Sequence, residues 1–254
     1  MIAAALPILT YHALDRSRAV TSTDPSWFRE TIERLVSAGH VGVELTGWIA
    51  RGRPEVANGF AVAFDDGLRS ILDGSEVLAH HHIPATVFLV SDHVGSFNDW
   101  HGQPREIAHA PMLDWSECRE LSRRGFRFAA HTATHPSLDR LGPAAIDDEL
   151  RRSRDAIEAR LDRDCGLFAY PYGVSTPSIR DRAASLFDGA FGTRMALAAG
   201  ASPLHDLPRI DAYYLKSPAI LDMLISRDMN QWLLIRRGLR NVRRLASSLI
   251  PVFS

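Results

Sequence analysis

The chain has 254 residues, of which 46% are apolar, and 29 Lys and Arg residues nearly balance 30 Asp and Glu residues for a formal net charge of −1. This composition excludes a disordered chain, a collagen and a basic nucleic-acid-binding tail, and we expect no nucleic-acid partner. A chain of this length buries roughly 70–75% of its unfolded surface, so its fold needs no disulfide support. Cys118 and Cys165 lie far apart and are expected to be reduced and buried.

Residues 1–12 are apolar, but they begin without a basic residue and are interrupted by Pro7. This pattern predicts a buried strand and not a signal peptide. No stretch reaches the 18 or so uncharged apolar residues that a membrane-spanning helix requires. The sequence therefore predicts a cytoplasmic protein.

Short apolar runs alternate with longer segments of helical periodicity up to about residue 215, as in repeated β/α units. Strands are predicted over residues 8–11, 59–64, 85–90, 127–130, 167–170, 189–192 and 207–210. Helices are predicted over residues 27–38, 71–80, 115–124 and 144–161. Since no linker or repeat interrupts this part of the chain, we expect one domain over residues 1–215 and a helical tail over residues 216–254.

These elements fit either a closed α/β barrel or an open doubly wound sheet. Polar residues lie at or beside the ends of five of the strands, namely His12, Asp65 with Asp66, His131, Pro171 with Tyr172, and Arg209. In a β/α barrel the carboxyl ends of the strands form the rim that carries the active site. The position of the polar residues therefore favours the barrel.

Two adjacent carboxylates follow the second predicted strand, in the segment Phe64-Asp65-Asp66-Gly67. Like charges side by side are costly unless a cation or a shared proton relieves them. A solvated turn in which an Asp caps the next helix is the alternative interpretation. This motif alone does not decide between them.

Two histidines four residues apart, His131 and His135, follow the strand over residues 127–130. Their spacing allows both imidazoles to reach one ion. Together with Asp65 or Asp66 they would supply three protein ligands and leave one position for water, which is the arrangement of a catalytic divalent metal. Without the aspartates, a chance pair of surface histidines would be the better interpretation.

A third motif, Tyr170-Pro171-Tyr172-Gly173, follows the strand over residues 167–170. In this order the three motifs resemble those of the NodB-homology polysaccharide deacetylases, carbohydrate esterase family 4. The segments Thr10-Tyr11-His12 and Leu207-Pro208-Arg209 agree with this resemblance, which spans roughly residues 6–215. Each motif is weak by itself, but the ordered set is specific.

The resemblance implies a distorted (β/α)7-type barrel that binds a divalent metal through Asp66, His131 and His135. Zinc suits these ligands best, and Co²⁺, Ni²⁺ or Fe²⁺ could occupy the same site. In such a site Asp65 is the general base for attack by the metal-bound water. The oxyanion would then lie between the metal and the backbone N–H of Tyr172.

The sequence departs from the broad family at two positions. Ala169 stands where the family has an Arg before the Pro-Tyr pair, and the late Leu-x-x-His-type motif is missing. Tyr11-His12 instead resembles a branch of exopolysaccharide deacetylases whose first strand carries the histidine. We therefore predict that His12 is the general acid and that Arg209 orients Asp65. His205 is the rival candidate for the acid.

Aromatic residues near the predicted rim are candidates for binding a sugar. Pro171, Tyr172 and Trp115 are the residues that we predict to contact it. The loop that follows the strand over residues 85–90 carries Trp100 and could line the same site, or it could be an ordinary surface loop.

The tail carries five arginines and no acid between Met229 and Ser254. On a helical projection the arginines share one arc, and apolar residues occupy the opposite arc except for Leu233. A basic amphipathic helix of this kind is typical of a membrane-surface element attracted to anionic lipid. Packing of the apolar stripe on the barrel or on a second subunit is the alternative. Peripheral attachment would place the protein at the inner face of the membrane.

The motifs together predict a hydrolase that removes the N-acetyl group from an N-acetylhexosamine unit of a glycan or a lipid-linked sugar. O-acetyl ester hydrolysis and deformylation of an amino sugar are alternatives, because the same chemistry serves any small acyl group. A carbohydrate-binding protein that has lost catalysis is the rival from another class. Since Asp65, Asp66, His131 and His135 are all retained, the enzyme is the better interpretation.

Overall fold

The computed structural model describes residues 5–17, 19–104, 106–226, 228–229, 232–233 and 236. The strands in these residues are β1 (Ile8–Tyr11), β2 (Ala13–Leu14), β3 (Ser22–Thr23), β4 (Val41–Gly42), β5 (Gly59–Phe64), β6 (Ala85–Leu89), β7 (Arg127–Ala130), β8 (Leu167–Ala169), β9 (Gly189–Met195) and β10 (Leu207–Asp211). The α-helices are α1 (Pro25–Ser37), α2 (Leu45–Ala50), α3 (Leu72–His80), α4 (Trp115–Arg123), α5 (Pro143–Leu161), α6 (Pro177–Ala184) and α7 (Pro218–Ile225). Short 3₁₀ turns complete the connections.

Seven of these strands form a closed parallel barrel in the order β1-β10-β9-β8-β7-β6-β5. The barrel closes because β5 also pairs with β1, with Ile8 opposite Ala61 and Tyr11 opposite Phe64. The short β4 pairs with the first residues of β5, and β2 and β3 form a separate small sheet. Closure of the sheet confirms the predicted distorted (β/α)7-type barrel and excludes the open doubly wound sheet.

The barrel separates two apolar layers, because successive residues of a strand point to opposite faces. Several side chains inside the barrel are small, as with Ala61 and Ala63 of β5 and Ala129 of β7, and they lie beside larger ones such as Phe88 and Phe191. The alternate residues of the same strands, such as Val62 and Phe128, pack against the outer helices. A barrel of only seven strands has a narrow interior, which explains the small residues within it.

The seven predicted barrel strands and the four predicted helices are all present, and their bounds differ by at most three residues from the prediction. Their starts follow local chemistry: Asp114 and Glu117 form a reciprocal capping box at the start of α4, and Asp24 caps α1. The prediction missed α2 and α6, which have eight residues or fewer and are too short for helical periodicity to show, whereas α7 lies within the predicted helical tail.

The two cysteines are free and buried, as predicted. None of the helices in the described residues is long and apolar enough to cross a membrane.

The chain continues past residue 215 as part of the outer helical layer. Helix α7 packs against α1, where Arg34 forms an ion pair with Asp222. Of the predicted basic tail, the described residues are Met229, Trp232, Leu233 and Arg236. Met229 and Leu233 are buried in the apolar layer between the barrel strands and the outer helices, so the beginning of the tail packs on the barrel. The rest of the predicted amphipathic helix lies outside the described residues, and the division at residue 215 stays a prediction.

Candidate metal centre

A cavity of about 440 Å³ opens at the carboxyl ends of the barrel strands. It collects most of the residues that the sequence predicts to be functional: His12, Asp65, Asp66, His131, His135, Tyr172 and Arg209 all line it. His12 follows β1, the two aspartates follow β5, the two histidines follow β7 and Tyr172 follows β8, whereas Arg209 lies within β10. The barrel therefore brings together residues that are far apart in the sequence.

Three donor groups meet on one side of this cavity. Oδ1 of Asp66 lies 3.5 Å from Nε2 of His131 and 3.5 Å from Nε2 of His135. The three donor atoms lie within 4.8 Å of one another, and they are the only such group found among the described residues. Two ligands that are each about 2.0–2.1 Å from a tetrahedral ion are roughly 3.3–3.4 Å apart. The observed spacing therefore fits a small divalent metal.

The hydrogen bonds of the first histidine fix its orientation. Nδ1 of His131 donates to the carbonyl oxygen of Ala169 at 2.8 Å. This bond places the ring hydrogen on Nδ1 and directs Nε2 at the cavity, which is the usual arrangement of a metal-binding imidazole. Nδ1 of the buried His135 has no hydrogen-bond partner in the described residues.

The protonation states of Asp66 and His135 suit a cation. Burial lowers the pKa of His135 to about 3, so its imidazole is neutral at pH 7 and can bind a metal through Nε2. Burial alone would raise the pKa of Asp66, but the adjacent imidazoles of His131 and His135 outweigh it and hold that pKa well below its usual range. For His131 the nearby carboxylates outweigh burial and raise its pKa.

The second carboxylate is held by an arginine and not by the histidines. Nη1 and Nη2 of Arg209 donate to Oδ1 and Oδ2 of Asp65 at 2.6 and 2.8 Å, while Nε donates to the carbonyl oxygen of Gly192. Arg209 and Asp65 are only 3% and 4% exposed. Nε2 of His12 lies on the same side, 3.9 Å from Oδ2 of Asp65.

The ion pair keeps Asp65 charged. Burial by itself would raise the pKa of this carboxyl group, but Arg209, with His131 and His12, outweighs burial and lowers the pKa. Asp65 is therefore ionised beside the three metal-binding donors, and an ionised carboxylate can accept a proton.

The backbone at the site adopts a left-handed conformation that residues other than glycine normally avoid. Asp66, Thr132, His135 and Tyr172 all have positive φ angles, between 57° and 72°. Such residues cost about 1–3 kcal/mol each and persist where the surrounding structure holds them. These turns aim the carboxylate and the imidazoles at the cavity.

The loop between β6 and α4 forms one wall of the cavity. Trp100 of this loop is 4% exposed, and its indole ring packs on the imidazole ring of His135 with the two ring centroids 4.4 Å apart. Asn98 holds the loop by bonding the backbone of Ala108 and Ala110. The alternative that this loop is an ordinary surface loop is therefore wrong, because Gln103, Pro104 and Ile107 also line the cavity.

Three of the sequence-predicted candidates lie elsewhere. Trp115 begins α4 and packs against the guanidinium of Arg160, so it is not among the residues that line the cavity. Pro171 is buried beneath the turn that presents Tyr172. His205 precedes β10 at the opposite end of the barrel, where it bonds the carbonyl oxygen of Phe187, and it cannot be the acid.

Sequence reasoning missed two residues beside the site. Tyr214 lines the cavity, and the guanidinium of Arg236 stacks on it at 4.0 Å. Glu149 of α5 bonds the loop that carries the two histidines. The signal for Glu149 was a carboxylate on the apolar stripe of a helix, between Ile146 and Leu150.

The sequence profile of polysaccharide deacetylases matches residues 54–187, slightly more than half of the chain. The chain belongs to this family, the NodB-homology or carbohydrate esterase 4 deacetylases. The members of this family are carbohydrate deacetylases, which are hydrolases.

Known family members agree with this assignment. The chitooligosaccharide deacetylase of Bradyrhizobium sp. (strain ANU 289) is 32% identical over 124 residues, which are 46% of this chain and 48% of that protein. The chain thus spans about half the length of this curated relative.

Solved structures share the fold. Deacetylase PplD of Streptococcus pyogenes, solved with acetate, has a TM-score of 0.74 at 20% identity and covers 87% of this chain and 98% of its own. IcaB from Ammonifex degensii has a TM-score of 0.71 at 21% identity, with coverages of 89% and 97%. These similarities confirm the barrel fold.

Proposed function

We propose that this chain is a metal-dependent deacetylase that removes the N-acetyl group from an N-acetylhexosamine unit of a glycan or a lipid-linked sugar. The observation that carries the proposal is the pairing of Asp65 with Arg209 directly beside the donor atoms of Asp66, His131 and His135. A buried, ionised carboxylate next to a three-ligand metal site can supply the base and the Lewis acid for hydrolysis of an amide.

The metal would be held by Asp66, His131 and His135, and a set of one carboxylate and two imidazoles favours zinc. When bound, it would polarise the acyl carbonyl group and lower the pKa of water in the site. Zinc is the expected metal, with Co²⁺, Ni²⁺ and Fe²⁺ as alternatives.

Two residues of the chain carry out the proton transfers, Asp65 as the base and His12 as the acid. A carboxylate oxygen of Asp65 accepts the proton of the attacking water as the carbon–oxygen bond forms, and Arg209 keeps that carboxylate ionised and oriented. Nε2 of His12 donates a proton to the amine nitrogen as the carbon–nitrogen bond breaks. The backbone N–H of Tyr172 donates to the oxyanion. His12 suits the role of acid because it lies on the open side of Asp65, with 21% of its side chain exposed.

The first experiment measures metal and activity on the same samples of the full chain. Wild type, Asp66→Ala and Asp65→Asn would be analysed for zinc, cobalt, nickel and iron, and assayed for acetate release from N-acetylglucosamine oligomers. We expect near-stoichiometric metal in wild type and in Asp65→Asn, metal loss in Asp66→Ala, and acetate release by wild type alone. The Asp65→Asn variant is the matched control, because it lacks the proposed base and keeps the ligands.

Other outcomes point elsewhere. Metal without acetate release would refute the oligomer as substrate and direct the assay to lipid-linked, N-formylated or O-acetylated sugars. A folded wild-type protein that binds no metal would refute the hydrolase and favour a carbohydrate-binding protein.

The proposal extends to the place of action, which we assign to the inner face of the cytoplasmic membrane. Trp232 and Arg236 pack against Tyr214, which lines the cavity, so the basic tail starts beside the cavity mouth. Four further arginines follow in the sequence without any acid. Such a segment is attracted to anionic lipid by about 1 kcal/mol for each Lys or Arg near the surface.

Vesicle sedimentation tests this extension. We expect the full chain to sediment with vesicles of anionic phospholipid, to remain in solution with zwitterionic vesicles, and to be released by salt. A chain that ends at Arg236 should stay in solution with both. Equal sedimentation of the full and shortened chains would refute membrane attachment through the tail.

A further inference from the structure

Glu149 is a buried carboxylate that the proposed reaction does not use. It lies on the inner face of α5, which also carries the buried residues Ile146, Leu150 and Ser153, and it is 8% exposed. Arg152 of the same helix interacts with it electrostatically, but the ion pairs of Arg152 are with Asp92 and Asp148. A charge buried in this way is costly unless strong hydrogen-bond donors compensate it.

The donors to Glu149 all come from the loop over residues 131–135. Oε2 accepts hydrogen bonds from the backbone N–H groups of Ala133 and Thr134 at 2.8 and 2.9 Å, and Oε1 accepts one from the hydroxyl group of Thr134 at 2.7 Å. These two residues lie between the two histidines of the candidate metal centre. The carboxylate thus bonds the middle of the segment whose ends carry His131 and His135.

The backbone of this loop is strained at two residues. Thr132 has a φ angle of 67° and His135 one of 58°. A positive φ is a genuine outlier for a β-branched residue such as Thr132. Inside the loop, the hydroxyl of Thr132 accepts from the backbone N–H of His135 at 3.0 Å.

The carbonyl groups of the same loop have partners of their own. The backbone N–H groups of Ser91 and Asp92 donate to the carbonyl oxygens of Thr132 and Ala133. These bonds satisfy the loop's acceptors, whereas its donors at Ala133 and Thr134 depend on Glu149. Without that carboxylate, two backbone N–H groups in a buried segment would lose their partner.

We propose that Glu149 is a positioning residue for the metal site: it holds the strained loop so that Nε2 of His131 and of His135 converge on Asp66 before a metal binds. The inference rests on the metal site of the proposed function. Loss of the hydrogen bonds that orient metal ligands typically weakens metal binding about 10- to 100-fold. The effect is carried by the backbone of the loop, since Glu149 touches neither imidazole.

The test is the dissociation constant for zinc, measured on folded protein by competition with a chromophoric chelator. We expect Glu149→Ala to weaken binding about 10- to 100-fold and to change the visible spectrum of the Co²⁺-substituted protein. Glu149→Gln keeps an acceptor for the two backbone N–H groups and should recover most of the affinity. Ser153→Ala is the matched control, because Ser153 is buried on the same helix and bonds only the carbonyl oxygen of Leu150.

A purely structural role for Glu149 predicts a different result. In that case Glu149→Ala and Ser153→Ala would both unfold more readily without metal, and both would bind zinc as tightly as wild type once folded. That outcome overturns the inference. If wild type itself bound no zinc, the proposed function would fail instead, so the two failures are distinguishable.

A second variant keeps the test decisive if Glu149→Ala does not fold. Thr134→Val preserves the shape of the side chain and removes only the hydroxyl bond to Oε1. We expect zinc binding about tenfold weaker, the effect of one hydrogen bond to a charged group. Unchanged affinity and an unchanged Co²⁺ spectrum in Thr134→Val, with Glu149→Ala unfolded, would also overturn the inference.

Discussion

Replacing Arg209 by Met tests the most buried interaction of the site. The variant keeps the unbranched stem of the side chain but removes the guanidinium, and with it both hydrogen bonds to Asp65 and the one to Gly192. The Asp65 carboxylate is then buried without its cation. Removing one partner of a buried ion pair costs about 3–5 kcal/mol. For a protein of this size, each kcal/mol lowers the melting temperature by about 2–4 °C.

The same substitution changes how the activity depends on pH. Burial raises the pKa of Asp65, and Arg209 is the foremost of the groups that lower it. The pKa of Asp65 therefore rises in Arg209→Met. Because Asp65 accepts a proton only when ionised, a larger fraction of the enzyme is inactive at low pH. We expect the acid limb of the kcat/KM profile to move to higher pH.

The assay is acyl release from the substrate across the pH range, with thermal unfolding measured on the same samples. The double variant Arg209→Met with Asp65→Asn is the control for stability, because it leaves no buried charge unpaired and should be more stable than Arg209→Met alone. An acid limb at the same pH as in wild type would refute the reasoning that Arg209 keeps Asp65 ionised.

Three further predictions concern neighbouring groups. His12→Ala should lower kcat about 10²- to 10⁴-fold while leaving the metal content unchanged, and full turnover would contradict its role as acid. Trp100→Ala removes the buried ring that packs on His135 and should destabilise the fold by about 3–5 kcal/mol in urea unfolding; a loss below 1 kcal/mol would contradict that packing. Asp65 has a lowered pKa in the folded state, so its contribution to stability is complete above its unfolded pKa of about 3.9 and is lost as the pH falls through the folded value. The stability difference between wild type and Asp65→Asn should therefore shrink only in acid, and a difference that changed between pH 6 and 8 would argue against this linkage.

The barrel was predictable because its strands are short apolar runs that end in polar residues. Asp66 and His131 each come directly after or close to such a run, and the carboxyl ends of parallel strands share one rim. The short helix α2 was not predictable in the same way. It contains Gly47 in six residues and begins where Glu44 caps two backbone N–H groups, so its start depends on local bonds and not on apolar periodicity.

The part of the site that could not be predicted depends on burial. Asp147, Asp148 and Glu149 are three consecutive acids on α5, and only the place of Glu149 on the apolar stripe of the helix sets it apart from the other two. Asp147 pairs with Arg182 and Asp148 with Arg152, both near the surface, whereas Glu149 faces the barrel. Which acid meets the histidine loop is decided by the packing of the helix.

The backbone of the site shows why local sequence patterns cannot fix it. Asp66, Thr132, His135 and Tyr172 are half of the eight non-glycine residues with positive φ in the described chain. Local preference opposes each of these turns by about 1–3 kcal/mol. The barrel core and the bonds from Glu149 must therefore hold them, which makes the geometry of the metal ligands a property of the whole fold. A metal-binding motif transplanted without that support would have its donor atoms in the wrong places.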